Sequence, residues 1–300
     1  MNLIVPLSPL TNSSNVIKHC SFSVTRICND YSKMGINVER FFKSDLVDLY
    51  ECVDSGYRFY YPFSCIGDAA FYVDLSLNRT NYYSVRWEHG VALKYLKSND
   101  SVLEIGSGFG AFLNRIKLEN IKGKGLELNP FAVKQCIQNG LNVKERLIND
   151  EVSINANSYS IVCCFQVLEH ITDVNSFIAS SIKLLKENGK LIIGVPNNNP
   201  YLFVNDKYHT LNLPPHHAGL WNKKALKYLE QIFPIMLVSL EFEPLNVAYT
   251  DFLNVQLKNA NFLTRFVIRI SHQVMPNILK KILCKYVKGR NILAVFEKVE

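Results

Sequence analysis

No Cys-x-x-Cys pair occurs among the eight cysteines of this 300-residue chain, which argues against a zinc ribbon or a dithiol redox motif. No apolar run reaches the ~18 residues that a membrane-crossing helix needs. The opening MNLIVPLSPL has neither the basic start nor the long apolar stretch of a secretory leader, so the chain is expected in the cytoplasm. Internal repeats and low-complexity tracts are missing. Charged residues make up 20% of the chain against 48% hydrophobic, the balance of a protein that buries a core, and this excludes a disordered or collagen-like chain. Acidic residues are absent between Asp251 and Glu297. Overall, 33 Lys and Arg face 26 Asp and Glu, a net charge of +7 that tilts the protein modestly toward anionic partners.

What is present falls into two textures. Residues 1–90 are rich in aromatics (Tyr57, Phe59, Tyr60, Tyr61, Phe63, Phe71, Tyr72, Tyr82, Tyr83) and irregular in pattern. From about Val91, short apolar runs alternate with helical patterns. Strands are expected at Ser101–Ile105, Gly123–Leu128, Tyr159–Val167 and Leu191–Val195, where Cys163 and Cys164 serve as small hydrophobes. Helices are expected at Gly110–Leu118, Pro130–Gln138 and Phe177–Leu185, the last closed by Asn188-Gly189 as a C-cap. This β-α-β-α alternation predicts a parallel sheet covered by helices on both faces. Further on, Lys223–Ile232 reads as helix, Ile235–Phe242 as extended and Asn291–Phe296 as a last strand. The acid-free stretch carries Lys258, Arg265, Arg269, Lys280, Lys281, Lys285, Lys288 and Arg290 among Leu, Ile, Val and Phe. It is expected to be a basic helical insertion at about 251–290 whose apolar face packs on the sheet. The competing expectation is an amphipathic pair making peripheral contact with a membrane.

The most informative stretch is Val102–Ala111, in which Gly106, Gly108 and Gly110 lie between a strand and a helix. Glycine lets such a turn take positive φ and lets a ligand reach the backbone. The next strand ends in an acid, Glu127, whose carboxylate can accept from two ribose hydroxyls. A dinucleotide fingerprint spaces its glycines G-x-G-x-x-G, whereas this chain has G-x-G-x-G. Glu104, two residues before the first glycine, suits a cationic ligand better than a diphosphate. A ribose, an ammonium and a sulfonium together describe S-adenosyl-L-methionine.

Four ordered motifs then resemble a known family: E-x-G-x-G-x-G at Glu104–Gly110, GLEL at Gly125–Leu128, FQVLEHI at Phe165–Ile171 and LPPHHAGLW at Leu213–Trp221. They are similar to class I S-adenosylmethionine-dependent methyltransferases, in particular the methyltransferase domain 23 group, which is similar to ubiquinone-type O-methyltransferases and polysaccharide-pathway methyltransferases. The resemblance spans roughly residues 85–300. It implies a Rossmann-like α/β fold with a seven-stranded sheet, an antiparallel last strand and helices on both faces, preceded by an aromatic-rich N-terminal cap at 1–90. The cofactor-binding domain is then 91–300. The resemblance also implies that Glu104, Gly106, Ser107, Gly108 and Gly110 hold the methionine end, that Glu127 and Leu128 border the ribose, that the segment at Asn149 and Asp150 borders the adenine, and that Phe165 and Gln166 form the floor.

Transfer to a hydroxyl needs an in-line acceptor and a means of removing its proton. Glu169 and His170 follow the fourth strand of the sheet, and His216 and His217 follow the fifth, at the edge where open α/β sheets bind ligands. One expectation is a His acting as general base. Gln166, Glu169 and His170 fall at i, i+3 and i+4, so a helical turn would put them on one side. This resembles the Glu-x-x-Glu-His metal site of ubiquinone-type O-methyltransferases, which implies as another expectation a divalent cation held by Glu169, His170 and His217, disfavoured because Gln166 stands where that site has its first glutamate. The third is a structural role. Pro214-Pro215 is expected to stiffen the loop that presents the His pair, and Trp221 to close over it. Residues 1–90, with Tyr82-Tyr83 and Trp87-Glu88-His89, are expected to cover the acceptor. The acceptor is expected to be a small molecule or glycan. Nucleic acid is disfavoured, since the basic residues cluster after Asp251 and no RNA-binding module is present. N- or C-methylation, a quinone or lipid-like precursor, and an inactive cofactor-binding scaffold stand as alternatives.

Overall fold

The structure, a computed structural model, describes residues 5–78, 85–199 and 201–300. Along the chain the strands are β1 (Val16–Ser23), β2 (Leu46–Cys52), β3 (Arg58–Tyr61), β4 (Ser101–Ile105), β5 (Lys122–Glu127), β6 (Val143–Glu145), β7 (Tyr159–Phe165), β8 (Leu185–Pro196), β9 (Gly219–Leu220), β10 (Ile235–Pro244) and β11 (Lys288–Lys298). Seven of them form one sheet in the order β10-β11-β8-β7-β4-β5-β6. β4, β5, β6, β7 and β8 pair in parallel, and β11 runs antiparallel to both of its neighbours. The expected seven-stranded sheet with an antiparallel last strand is therefore what forms.

The central strands are apolar because both faces are covered. Leu103, Val162, Cys164 and Ile193 belong to one buried cluster, which continues into the helix Val174–Leu184. Val102, Ile161, Cys163 and Ile192 belong to another, filled from the helices Ala111–Leu118 and Pro130–Gln138. Alternation along each strand thus divides its side chains between two cores. Strand order reverses at β4, which has β5 on one side and β7 on the other. Such a switch point opens a crevice at the carboxyl ends of the strands, where the glycine turn and the Phe165–Ile171 motif both begin.

Several elements end elsewhere than expected, as β7 stops at Phe165 and the helix from Lys223 stops at Tyr228, and one helix ends in a different way. Val174–Leu184 stops at Leu185, which is already extended (φ −75°, ψ 138°). Asn188 (φ 58°) and Gly189 instead lie in the irregular first part of β8, where its register against β7 shifts. The turn chemistry of Asn-Gly was real, but it bends a strand rather than capping a helix.

The N-terminal region is more regular than its sequence pattern. β1, β2 and β3 form an antiparallel sheet that is completed by β9 from the far part of the chain. Its aromatics pack into a core of their own, with Phe22, Tyr31, Tyr60 and Phe71 buried beside Leu213 and Leu220. The helix Trp87–Ala92 crosses the expected boundary at residue 90, and Val91 and Ala92 join the core of the large sheet. Tyr82 and Tyr83 lie outside the described residues. Among the described residues, no helix is long and apolar enough to cross a membrane.

The acid-free stretch folds as three helices, Tyr249–Asn259, Phe262–Val274 and Pro276–Tyr286, between β10 and β11. The first buries Tyr249, Phe252 and Leu253. The second and third bury no residue fully. The expectation that the insertion lays its apolar face on the sheet is therefore not met, since these helices keep most of their large apolar side chains exposed.

Candidate active site

A cavity of about 600 Å³ opens at the switch point, a size typical of small-molecule sites, which span roughly 300–1,000 Å³. One wall is the glycine turn. Gly106, Gly108 and Gly110 all take positive φ (73°, 53° and 74°), and the Gly106 and Ser107 N–H groups donate to the Leu126 carbonyl at 2.8 and 3.0 Å. The three glycines differ in purpose. A Cβ on Gly106 would lie 2.4 Å from Cγ2 of Val167, and one on Gly110 would lie 2.4 Å from Cδ1 of Leu141. Gly106 and Gly108 line the cavity, whereas Gly110 packs behind it, as the residue preceding the helix Ala111–Leu118.

Two acids lie at or next to the ends of the adjoining strands. Glu127 closes β5, and its carboxylate accepts from the N–H groups of Gly108, Leu128 and Asn129 at 2.8–2.9 Å. Oε1 takes two of these bonds and Oε2 only the one from Gly108, so Oε2 keeps a second lone pair that can receive a hydroxyl donor from the cavity. Glu104, next to last in β4, is almost fully buried, and its Oε2 has no hydrogen-bond partner. Burial, with the Glu127 charge nearby, pushes its carboxyl well above the usual range. A buried acid with an unmet oxygen fits a cationic ligand group, which would supply both the hydrogen bond and the countercharge.

A pH dependence follows. Glu104 has to lose its raised proton before it can pair with an ammonium, so S-adenosylmethionine affinity is expected to rise with pH as that carboxyl ionises. Binding should release a proton, visible in calorimetry as a heat that changes with the ionisation enthalpy of the buffer. Glu104→Gln should abolish the release. Buffer-independent heats in the unaltered protein would contradict the assignment.

The opposite wall follows β7. Its last residue, Phe165, packs edge-on against Phe112 and His89. Next comes Gln166 at φ 56°, then a short 3-10 turn, Leu168–His170. This is not the α-helical turn that would place Gln166, Glu169 and His170 together. The Gln166 amide donates to Oε1 of the buried Glu88 at 2.7 Å. Glu169 turns inward instead, buried, with Oε1 3.8 Å from Nε2 of His170 and with Oε2 lacking a partner.

His216 and His217 arrive from the loop before β9 and close the cluster. One ring nitrogen from each of His170, His216 and His217 lies within 4.8 Å of the others. The His170 and His216 ring centroids are 4.5 Å apart, and those of His216 and His217 are 4.7 Å apart. Nδ1 of His170 sits 2.7 Å from the His216 carbonyl, Nδ1 of His216 sits 2.8 Å from the Leu211 carbonyl, and Nδ1 of His217 sits 3.1 Å from Oδ1 of Asn212. Those oxygens only accept, so each Nδ1 carries the donating proton. In the neutral ring Nε2 then holds the lone pair, the atom that can take a proton or bind a metal. Desolvation pushes Glu169 up to about 8 and His170 down to about 4, so both groups favour their neutral forms.

Twelve of the fifteen site residues expected from the sequence line this cavity: Glu104, Gly106, Ser107, Gly108, Glu127, Leu128, Phe165, Gln166, Glu169, His170, His216 and His217. Gly110 and Asn149 lie outside it, as does Asp150. Asp150 is exposed in the first turn of the helix Ile148–Asn155, and the preceding Arg146, Leu147 and Ile148 form the wall there. Trp221 is no lid, because it is wholly buried with its ring 4.7 Å from that of Tyr57.

Sequence reasoning missed Tyr72, Arg86, Arg290 and Asn291 as cavity residues. Tyr72 donates its hydroxyl to the His216 carbonyl at 3.1 Å and sets its ring 5.6 Å from that of His170. No local pattern marks it. Arg290 and Asn291 did carry a signal: an antiparallel last strand must begin at the edge where its parallel neighbours end.

A sheet of this order, with its cavity at the switch point between a glycine turn and two strand-end acids, is that of a class I S-adenosylmethionine-dependent methyltransferase, and S-adenosylmethionine is its cofactor. The chain belongs to the family described as "Methyltransferase domain", whose model matches residues 80–262. It is 27% identical over 169 residues to the ubiquinone biosynthesis O-methyltransferase of Pseudomonas savastanoi pv. phaseolicola, covering 49% of this chain and 71% of that one. It is 26% identical over 195 residues to the enzyme of the same name from Pseudomonas putida, covering 58% and 80%. Among solved structures it resembles in fold a SAM-dependent methyltransferase from Archaeoglobus fulgidus, with a TM-score of 0.52 at 19% identity over 77% of this chain and 100% of that one.

Proposed function

We propose that this methyltransferase acts on a hydroxyl of a small or carbohydrate-like acceptor, which binds against the cluster of His170, His216 and His217. The observation that carries this reading is the convergence of three imidazoles of fixed tautomer on the cavity wall opposite the glycine turn. The similarity to ubiquinone biosynthesis O-methyltransferases supports oxygen as the methylated atom. Glu104 and the glycine turn hold the donor's methionine end, and Glu127 holds its ribose. The acceptor then lies between that donor and the histidines, so its oxygen can be aligned with the methyl group. Nε2 of His170 takes the hydroxyl proton, while Nδ1–H stays committed to the His216 carbonyl and keeps the ring in place. Tyr72, bonded to that same carbonyl, closes the cavity from the N-terminal region.

A second reading is favoured by the unmet Oε2 of Glu169. Three imidazoles whose Nδ1 atoms rest on oxygen acceptors, beside the buried Glu169 carboxyl that a cation's charge would ionise, make a donor set that fits a divalent cation. His170, His216, His217 and Glu169 would hold it, and its charge would lower the pKa of a bound hydroxyl.

Incubating the purified protein with labelled S-adenosylmethionine and a cell extract tests the function. A methyl ether on a small hydroxylated compound is expected, and label found only on amines or carbon would overturn the proposal. Excess chelator separates the two readings. If a cation assists, activity should vanish and return with added divalent metal. Unchanged turnover would leave the histidine base alone.

A further inference from the structure

Exposed apolar side chains share the surface of the insertion between β10 and β11 with Arg265, Arg269, Lys281 and Lys285, which form no salt bridge among the described residues. On the helix Phe262–Val274, Ile268 turns in toward Tyr249, Phe252 and Leu253. Phe262, Phe266, Ile270 and Val274, spaced i, i+4, i+8 and i+12, lie with Leu263 and Val267 on the far side, Phe262 being 81% and Val274 69% exposed. The helix Pro276–Tyr286 repeats the arrangement. Leu283 and Cys284 pack inward, while Ile278, Ile282 and Tyr286 face out, with Tyr286 74% exposed. Arg265, Arg269, Lys281 and Lys285 flank these stripes, and the segment has no acid between Asp251 and Glu297.

We propose that this helical pair is a docking surface for an anionic lipid bilayer, on which the two helices lie flat with their apolar stripes among the acyl chains. The occupant follows from complementarity. An apolar stripe bordered by Lys and Arg matches the interfacial zone, where hydrocarbon and phosphate lie a few ångströms apart. A nucleic-acid backbone would use the cations but leave Phe262, Phe266 and Ile270 in water. A second copy of the chain would bury the stripes but oppose two surfaces of the same sign. The base of the pair belongs to the cluster that contains Leu202, a cavity residue, so docking leaves the helical pair between that wall of the cavity and the lipid. This goes beyond the proposed methyl transfer and does not depend on the acceptor.

Vesicle sedimentation with the full chain tests it. Binding to phosphatidylcholine vesicles with about 30 mol% phosphatidylglycerol should be at least ~10-fold stronger than to phosphatidylcholine alone, and should fall as salt is raised from about 0.05 to 0.5 M. Phe266→Asp combined with Ile270→Asp, and separately Arg265→Glu combined with Lys281→Glu, should each remove most of the binding. S-adenosylmethionine affinity, measured on the same variants, should stay unchanged and so report an intact fold. Three results would overturn the proposal: equal binding to neutral and anionic vesicles, variants that sediment like the parent, or a dimer in ultracentrifugation that the Phe266→Asp, Ile270→Asp variant converts to monomer. Salt-sensitive binding to single-stranded RNA without vesicle binding would reassign the surface to nucleic acid.

Discussion

His170→Ala is expected to lower kcat by about 10²–10⁴-fold while S-adenosylmethionine affinity stays within about two-fold, because a positioned base contributes that much to proton removal and nothing to donor binding. The separation is structural. The residues proposed to hold the donor, Glu104, Gly108 and Glu127, lie on the β4 and β5 side of the cavity, whereas His170 follows the end of β7. His217→Ala is expected to fall in the same direction, since its ring is 5.0 Å from that of His170 and completes the same cluster. Nδ1 of His170 also ties the turn after β7 to the His216 carbonyl. His170→Gln, which keeps a donor near that position, separates chemistry from loop order: it should recover thermal stability without recovering turnover. Full activity in His170→Ala, in His217→Ala and in the double variant would remove the histidines from the mechanism. Methyl transfer would then rest on positioning alone, as an acceptor that is already nucleophilic, such as an amine, allows.

Gly108→Val should weaken S-adenosylmethionine binding by at least ~100-fold. Gly108 sits at φ 53°, in the left-handed region that a β-branched residue enters only at a cost of about 1–3 kcal/mol. It also lines the cavity, and its N–H holds Oε2 of Glu127 at 2.8 Å, so a shifted backbone also misplaces the carboxylate proposed to hold the ribose. Gly106→Val should differ in kind. Its Cβ would meet Val167 at 2.4 Å, so the loss should appear first as a lower Tm, with binding lost because the turn no longer packs. Calorimetry and thermal unfolding on the two variants give the comparison. Near-normal affinity in Gly108→Val would mean that the turn is not the donor's cradle.

Legibility in the sequence tracked the range of the interactions. The strand Ser101–Ile105 and the helix Pro130–Gln138 have the very bounds that apolar pattern and a first-turn proline imply, because those signals act within a few residues. Gln166 is a clear failure of the same logic. Spacing placed it with Glu169 and His170 on one helical turn, yet its φ of 56° and the distant Glu88 carboxylate turn its amide elsewhere. Asp150 failed by a few residues, since a loop's approach to a cavity is set by the strand it leaves and not by its own composition. The small sheet of β1, β2 and β3 was invisible because its closing strand, β9, comes from a segment more than 150 residues later.

By itself, the sequence determined the sheet and the donor's turn. Alternating apolar runs, glycines at an unforgiving backbone conformation and acids at strand ends are local demands that few other structures satisfy. Only the tertiary structure decided what those elements meet. It gathered His170 with His216 and His217, brought Tyr72 over them from the N-terminal region, left Oε2 of Glu169 buried without a partner, and turned the apolar stripes of the basic helices away from the core. The physical reason is that such contacts join residues tens to hundreds of positions apart. Their geometry is fixed by how two cores and a second sheet pack against one another, and no stretch of chain carries that information alone.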